Sequence, residues 1–268
     1  MAFRLKCVSE LISNLGKYDA IVEFTEIAIC DFIDYADESG DFDSYLKSKS
    51  ETHKIKVDSV DRLIYRSRIS QSYILSVYQT FELFLRQFKD EHNDLFNGNW
   101  KFDDSKDNLL IKLIRKITTI NNAKTVIGDF RLELFDYYRK VRNKYSHEYI
   151  DDSKLDKAYA QIITFKTEIS NNYPKLKAPN EFDEINFDDF ILFTRLVKDI
   201  AYGLNDMIQP ISDSLLVDYY QRKDMFNNLN QNLPRKTNAI KGHLREYFGI
   251  VDDSEKIINL YLSHSPNG

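Results

Sequence analysis

Residues 72–88 read SYILSVYQTFELFLRQF, and the spacing of their apolar side chains decides the fold. Ile74, Tyr78, Phe81, Leu85 and Phe88 recur in alternating steps of four and three. An α-helix turns by 100° per residue, so such steps gather side chains on one face; a strand would need alternation by two. The pattern predicts a long amphipathic helix over about 59–92, capped by Asp58 or Ser59. The polar stretch HNDLFNGNWKFDDS (92–105) then breaks it.

The same period recurs on either side. Residues 19–37, DAIVEFTEIAICDFIDYAD, place Ile21, Phe24, Ile27, Ala28 and Phe32 in a helix-like stripe, and ESGDFDSYLKSKSETHK (38–54) reads as a loop. Ser105 opens the helix NLLIKLIRKITTI, which ends at Asn121-Asn122. A further helix starts near Ile127 and runs through Phe130, Leu134, Tyr138, Val141 and Tyr145. Asp151-Asp152-Ser153 cap SKLDKAYAQIITFKTEIS, and Pro174 stops it. The stretch YPKLKAPNEF, with two prolines, marks a boundary. Beyond it lie NFDDFILFTRLVKDIAYGLNDMI and helices after Pro210, Pro234 and Asp252. No segment reads as a strand or a repeat. The expectation is an all-α chain of three parts: residues 1–50, 51–174 and 175–268.

Composition agrees. Of 268 residues, 43% are hydrophobic, so the chain can bury one large core or two smaller ones without covalent staples. Eight glycines and five prolines are too few for the turns of an all-β fold. Cys7 and Cys30 offer neither a disulfide framework nor ligand spacing, which fits a reducing, cytoplasmic setting. The opening MAFRLKCVSELISNLG lacks the features of a signal peptide, and no apolar run is long enough to span a bilayer. Net charge is −5, so any phosphate-binding surface has to be local. His53, His243 and His264 show no ligand spacing, and the acidic clusters DESGDFD and EFDEINFDD lack the glycine and final glutamate of a calcium loop. No cofactor or metal is expected. Glycine-rich phosphate loops and G-x-S-x-G elbows are absent from the sequence.

One stretch carries chemistry. Residues 139–150 are RKVRNKYSHEYI, and between Arg131 and His147 five cations face two anions, a local net of +3. Arginine's planar fork matches phosphate oxygens, and histidine exchanges protons near neutral pH. In an unbroken helix, His147 lies about 140° round from Arg142 and roughly 7.5 Å further along the axis. The two converge only if the helix ends or bends within NKYS, or if two copies of the motif face each other.

Arg142, Asn143 and His147 resemble the R-x4-6-H motif of HEPN ribonucleases, and Tyr149 extends it to R-x4-H-x-Y, similar to the form in HEPN toxins paired with nucleotidyltransferase antitoxins. SYILSVYQTFELFLRQF resembles the earlier core helix of that family. The resemblance covers 59 to about 172 and implies an up-down helical bundle with extra N- and C-terminal helices. It also implies a homodimer joining two motifs in one cleft, metal-independent RNA cleavage, and a role in toxin–antitoxin or anti-phage abortive-infection systems. Arg142 would then bind the phosphate and its transition state, His147 act as general acid and base, and Asn143 orient them. Arg139, Lys140 and Lys144 would hold substrate, Glu82 would support Arg142, and Tyr149 would be a control point touched by an antitoxin or sensor protein. The length outside the bundle suits the larger abortive-infection proteins better than the small toxins. A second match, Arg86 to His92 in RQFKDEH, ranks lower because Asp90 and Glu91 repel phosphate. The aromatic stripe of Phe81, Phe84, Phe88, Phe130, Phe135 and Tyr138 reads as core first and as a base-stacking platform second. The rival reading is a non-catalytic helical module that binds RNA, a nucleotide or a protein through the same basic groove.

Overall fold

The computed structural model describes residues 3–58, 60–62, 64–147, 152–229 and 232–263. Every regular element among them is helical, so the chain is all-α. Helix α1 spans Lys6–Glu38, α2 Phe42–His53, α3 Tyr65–Phe96 and α4 Leu109–Ile117. The short α5, Ile120–Ala123, passes through a π-turn at Lys124–Gly128 into α6, Asp129–Ser146. Then follow α7 Asp152–Ile163, α8 Lys166–Asn172, α9 Phe187–Met207, α10 Asp213–Lys223, α11 Leu233–Phe248 and α12 Ser254–Ser263.

Several bounds differ from those the sequence predicts, each for a local reason. The segment 38–54, expected as a loop, holds α2. Asp41 accepts the Ser44 N–H as N-cap, Phe42 is buried against the Phe32 ring, and Lys54 ends the helix in the left-handed region. Helix α3 starts six residues later than expected, and Asp58 pairs with Lys56 instead of capping it. It also runs on to Phe96, because Leu95 is buried and Asn97 supplies the left-handed terminator. Asn108, not Ser105, caps α4 by accepting the Ile111 N–H. The single helix expected over 153–170 is broken at Thr164-Phe165 into α7 and α8.

The described residues fall into two compact units, neither of them a continuous stretch of sequence. The first draws on Met1–Ser13, Gln79–Leu132 and Val197–Gly268, the second on Asn14–Tyr78 and Glu133–Leu196. Helices α1, α3, α6 and α9 each give a segment to both.

In the first unit, Asn205 on α9 clamps the chain before α1. Its Oδ1 accepts the Leu5 N–H at 3.0 Å, and its Nδ2 donates to the Phe3 carbonyl at 2.9 Å. Glu91 on α3 accepts the Cys7 N–H, a position where burial drives the Cys7 thiol far up. Helices α10 to α12 close over a cluster of Tyr220, Phe226, Phe248 and Tyr261 around His243. In the second unit, Phe190 and Phe193 of α9 meet Tyr18, Tyr73, Phe135 and Tyr138 at ring distances of 4.9–6.3 Å. Aromatic faces of this size bury far more surface than aliphatic ones and dominate such a core.

Candidate active site at the end of helix α6

Two hydroxyls set the roll of α6. The Tyr138 O–H donates to Oδ1 of Asp189 at 2.8 Å, and the Tyr137 O–H donates to the Asn180 carbonyl. Asp189 also accepts from Asn180 N, Asn180 Nδ2 and Asn186 N at 2.8–3.0 Å, so its buried carboxylate is well satisfied. Burial nonetheless pushes the Asp189 carboxyl above its usual range, against the lowering effect of those donors. Burial also drives the Tyr137 and Tyr138 phenols far up, so both stay neutral donors. Composition and period gave no sign of this hub, since Asp189 sits in an acidic stretch that reads as a solvated turn.

With α6 held this way, Arg142 is half-buried. Its guanidinium carbon lies 4.5 Å from the centre of the Tyr78 ring, and Nη1 donates to Oδ1 of Asn143 at 2.9 Å. The ring face and the amide together restrain the fork. His147 is exposed. Its N–H still donates to the Asn143 carbonyl at 2.9 Å, and α6 ends at Ser146, the last residue of NKYS. His147 is the first residue past the helix, and at helical spacing it would diverge from Arg142 by about 140°. A helix end within NKYS is present, at Ser146, and a meeting of two copies is the other way the motif could converge.

The basic residues around Arg142 are about three-quarters covered, and carboxylates occupy them. Asp136 takes both Arg139 at 2.7 Å and Lys140 at 2.6 Å. Burial opposes charge on Asp136, but the bonds from Lys140 and Arg139 win and hold its carboxyl below the ordinary range. Lys144 meets Asp152 at 2.7 Å and lies 4.4 Å over the Phe182 ring. Arg131 meets Asp199 at 3.3 Å. Asp152 and Asp199 lie outside the interval that gave +3, and each offsets one of its five cations, which leaves +1. A hollow of about 480 Å³ beside Lys144 is lined by Tyr137, Tyr159, Glu181, Asp183 and Glu184. Its carboxylates repel phosphate, so it is no anion pocket.

Glu82 is half-buried on α3, one turn beyond Tyr78. Tyr149 lies outside the described residues. All six rings of the aromatic stripe are buried, which makes them core and not a surface for stacking bases. In the second motif match, the Trp100 indole donates to Nδ1 of His92, and burial lowers that imidazole to about 4. A ring so hard to protonate makes a poor proton shuttle at neutral pH. Among the described residues, no group of three or more His, Cys, Asp or Glu side chains is placed to hold a metal. None of the described helices is long and apolar enough to cross a membrane. Comparison with family models, curated proteins and solved structures finds no match to the chain.

Proposed function

We propose that the chain is a HEPN-like endoribonuclease that works as a homodimer in the bacterial cytoplasm, in anti-phage defence or as a toxin. The observation that carries this is the end of α6, where a braced Arg142–Asn143 pair sits near the last turn and an exposed His147 follows directly after Ser146. Two copies can present Arg142 of one to His147 of the other. In the reaction, His147 takes the ribose 2′-OH proton and the 2′-oxygen attacks phosphorus. Arg142 stabilises the five-coordinate phosphorane, and the 5′-oxygen leaves with a proton. The products are a 2′,3′-cyclic phosphate and a 5′-hydroxyl, with no metal taking part. Arg139, Lys140 and Lys144 hold the strand once RNA displaces their carboxylates, and Glu82 supports Arg142. Tyr149 is the control point for an antitoxin or sensor protein.

A second reading is a non-catalytic module that binds RNA, a nucleotide or a protein without turnover; the pairing of those cations with carboxylates weighs against their strand-holding role in the first.

Incubating the protein with RNA in EDTA separates the two. The ribonuclease yields fragments with 2′,3′-cyclic ends, and His147→Ala or Arg142→Ala lowers the rate by about 10²–10⁴ without loss of fold. Mixing the two variants restores part of the activity, because a mixed dimer holds one intact pair. Binding without cleavage, unchanged by His147→Ala, selects the second reading. Cleavage that mixing fails to restore rules out the shared site.

A further inference from the structure

Most of the apolar stripe that the period marks on α1 faces solvent, Phe32 excepted. Val22 and Ala36 are buried on one side of this helix, while elsewhere round it Ile21, Phe24, Ile27 and Tyr35 are 63%, 73%, 62% and 61% exposed. At 100° per residue, Ile21, Phe24, Ala28 and Tyr35 fall within about 60° of one another. The helix thus has two apolar faces and covers only one. A row of large exposed apolar side chains is uncommon on a chain that acts alone.

Charge says what fits there. Residues 18–46 carry nine carboxylates and no lysine or arginine. Glu26 is paired with Arg66 and Asp37 with Arg62, but Glu23, Asp31, Asp34 and Glu38 make no ion pair among the described residues. Next to the stripe, a groove of about 490 Å³ is lined by Glu23, Glu26, Ile27, Cys30, Asp31 and Phe187. Its floor is apolar and its rim acidic.

We propose that the exposed face of α1 between Asp19 and Glu38 is a docking surface for a basic amphipathic helix of a partner protein. Side chains spaced at three and four along α1 receive the apolar anchors of a helix laid beside it, and the partner's lysines and arginines meet Glu23, Asp31, Asp34 and Glu38. A second copy of this chain would set these carboxylates against an identical set, which like-charge repulsion disfavours. An anionic lipid surface is disfavoured for the same reason. The surface is independent of the ribonuclease reading, because it involves no residue of α6.

The test titrates the full chain with a synthetic amphipathic helical peptide of leucine and lysine, and with its leucine and glutamate counterpart. The basic peptide should bind saturably at one per chain and the acidic one should not. Phe24→Ser and Asp31→Asn should each weaken binding about tenfold, since one removes an anchor and the other a charge. Both side chains are exposed, so circular dichroism should show an unchanged fold, and either variant suffices if the other is unstable. Equal binding of the two peptides, or unweakened binding by both variants, overturns the proposal. So does a dimer in light scattering that Phe24→Ser dissolves, which makes a second copy the occupant. Co-sedimentation with phosphatidylcholine vesicles that Phe24→Ser abolishes assigns the face to lipid and overturns it equally.

Discussion

The Trp100 indole N–H reaches Nδ1 of His92 at 3.3 Å, and the Phe96 ring lies 4.6 Å from the imidazole. His92 and Arg142 show why a motif of two residue types is only half a statement about a site. Arg86 and His92 match the same pattern as Arg142 and His147, but burial separates the two histidines. His92 serves the core, and His147 faces solvent. Residue identity and spacing were legible; which way each ring faces depends on chain that is distant in sequence. The difference has a measurable consequence. His92 is held neutral in the fold at about 4 and titrates near 6.5 when unfolded, so the unfolded chain binds more protons between those values. The stability it contributes is complete above pH 6.5 and is lost as pH falls, by about 2 kcal/mol at pH 5. His92→Gln keeps an acceptor for Trp100 and cannot titrate. Urea midpoints at pH 7.5 and 5.0 should therefore converge in this variant by roughly that amount, and an unchanged gap would show that His92 protonates freely in the folded chain.

At the scale of elements, period was a good guide to where helices are and a poor one to which face they bury. The steps of four and three in 72–88 correctly placed α3, and its stripe is core. The period in 19–37 correctly gave a helix but marked a stripe that is exposed except at Phe32, which packs on Phe42, while Val22, Ile29, Ile33 and Ala36 form a second, more covered stripe. Helix α2 was missed because its evidence lies in a cap and one buried ring, not in a period. Close approach between helices was equally invisible. A Cβ on Gly203 of α9 would lie 2.7 Å from Cγ1 of Ile127, in the π-turn before α6. In an open helix, Gly→Ala stabilises by roughly 1 kcal/mol. Here the contact reverses the sign, and Gly203→Ala should cost about 1–3 kcal/mol in thermal or urea unfolding. Ile127→Ala removes Cγ1, so the double variant should lose less than the two single variants together. Strict additivity would mean that the two helices separate freely at this point.

For the molecule as a whole, the boundaries near 50 and 174 came from composition and prolines, which see only the line of the chain. The core around α6 is not arranged along that line. Phe193 and Asp189 of α9 meet Tyr138, Phe190 meets Tyr73 and Tyr18, and the Phe182 carbonyl accepts from Gln71 at 2.7 Å. All of these partners of α3 and α6 lie before residue 51 or after 174. Removing one buried phenylalanine costs about 3–5 kcal/mol. A fragment of residues 51–174 loses at least two, and with them the acceptor of the Tyr138 hydroxyl, against a typical total stability of about 5–15 kcal/mol. The fragment should keep helical circular dichroism yet unfold without a cooperative transition, with poorly dispersed amide resonances. A well-dispersed spectrum from it would show that 51–174 is a self-sufficient bundle and that α9 merely leans on it. The outcome also bears on the site, because Arg142 keeps its place only while Tyr138 and Asp189 fix the roll of α6. The proposed catalysis at the helix end and packing by α9 then rise or fall together.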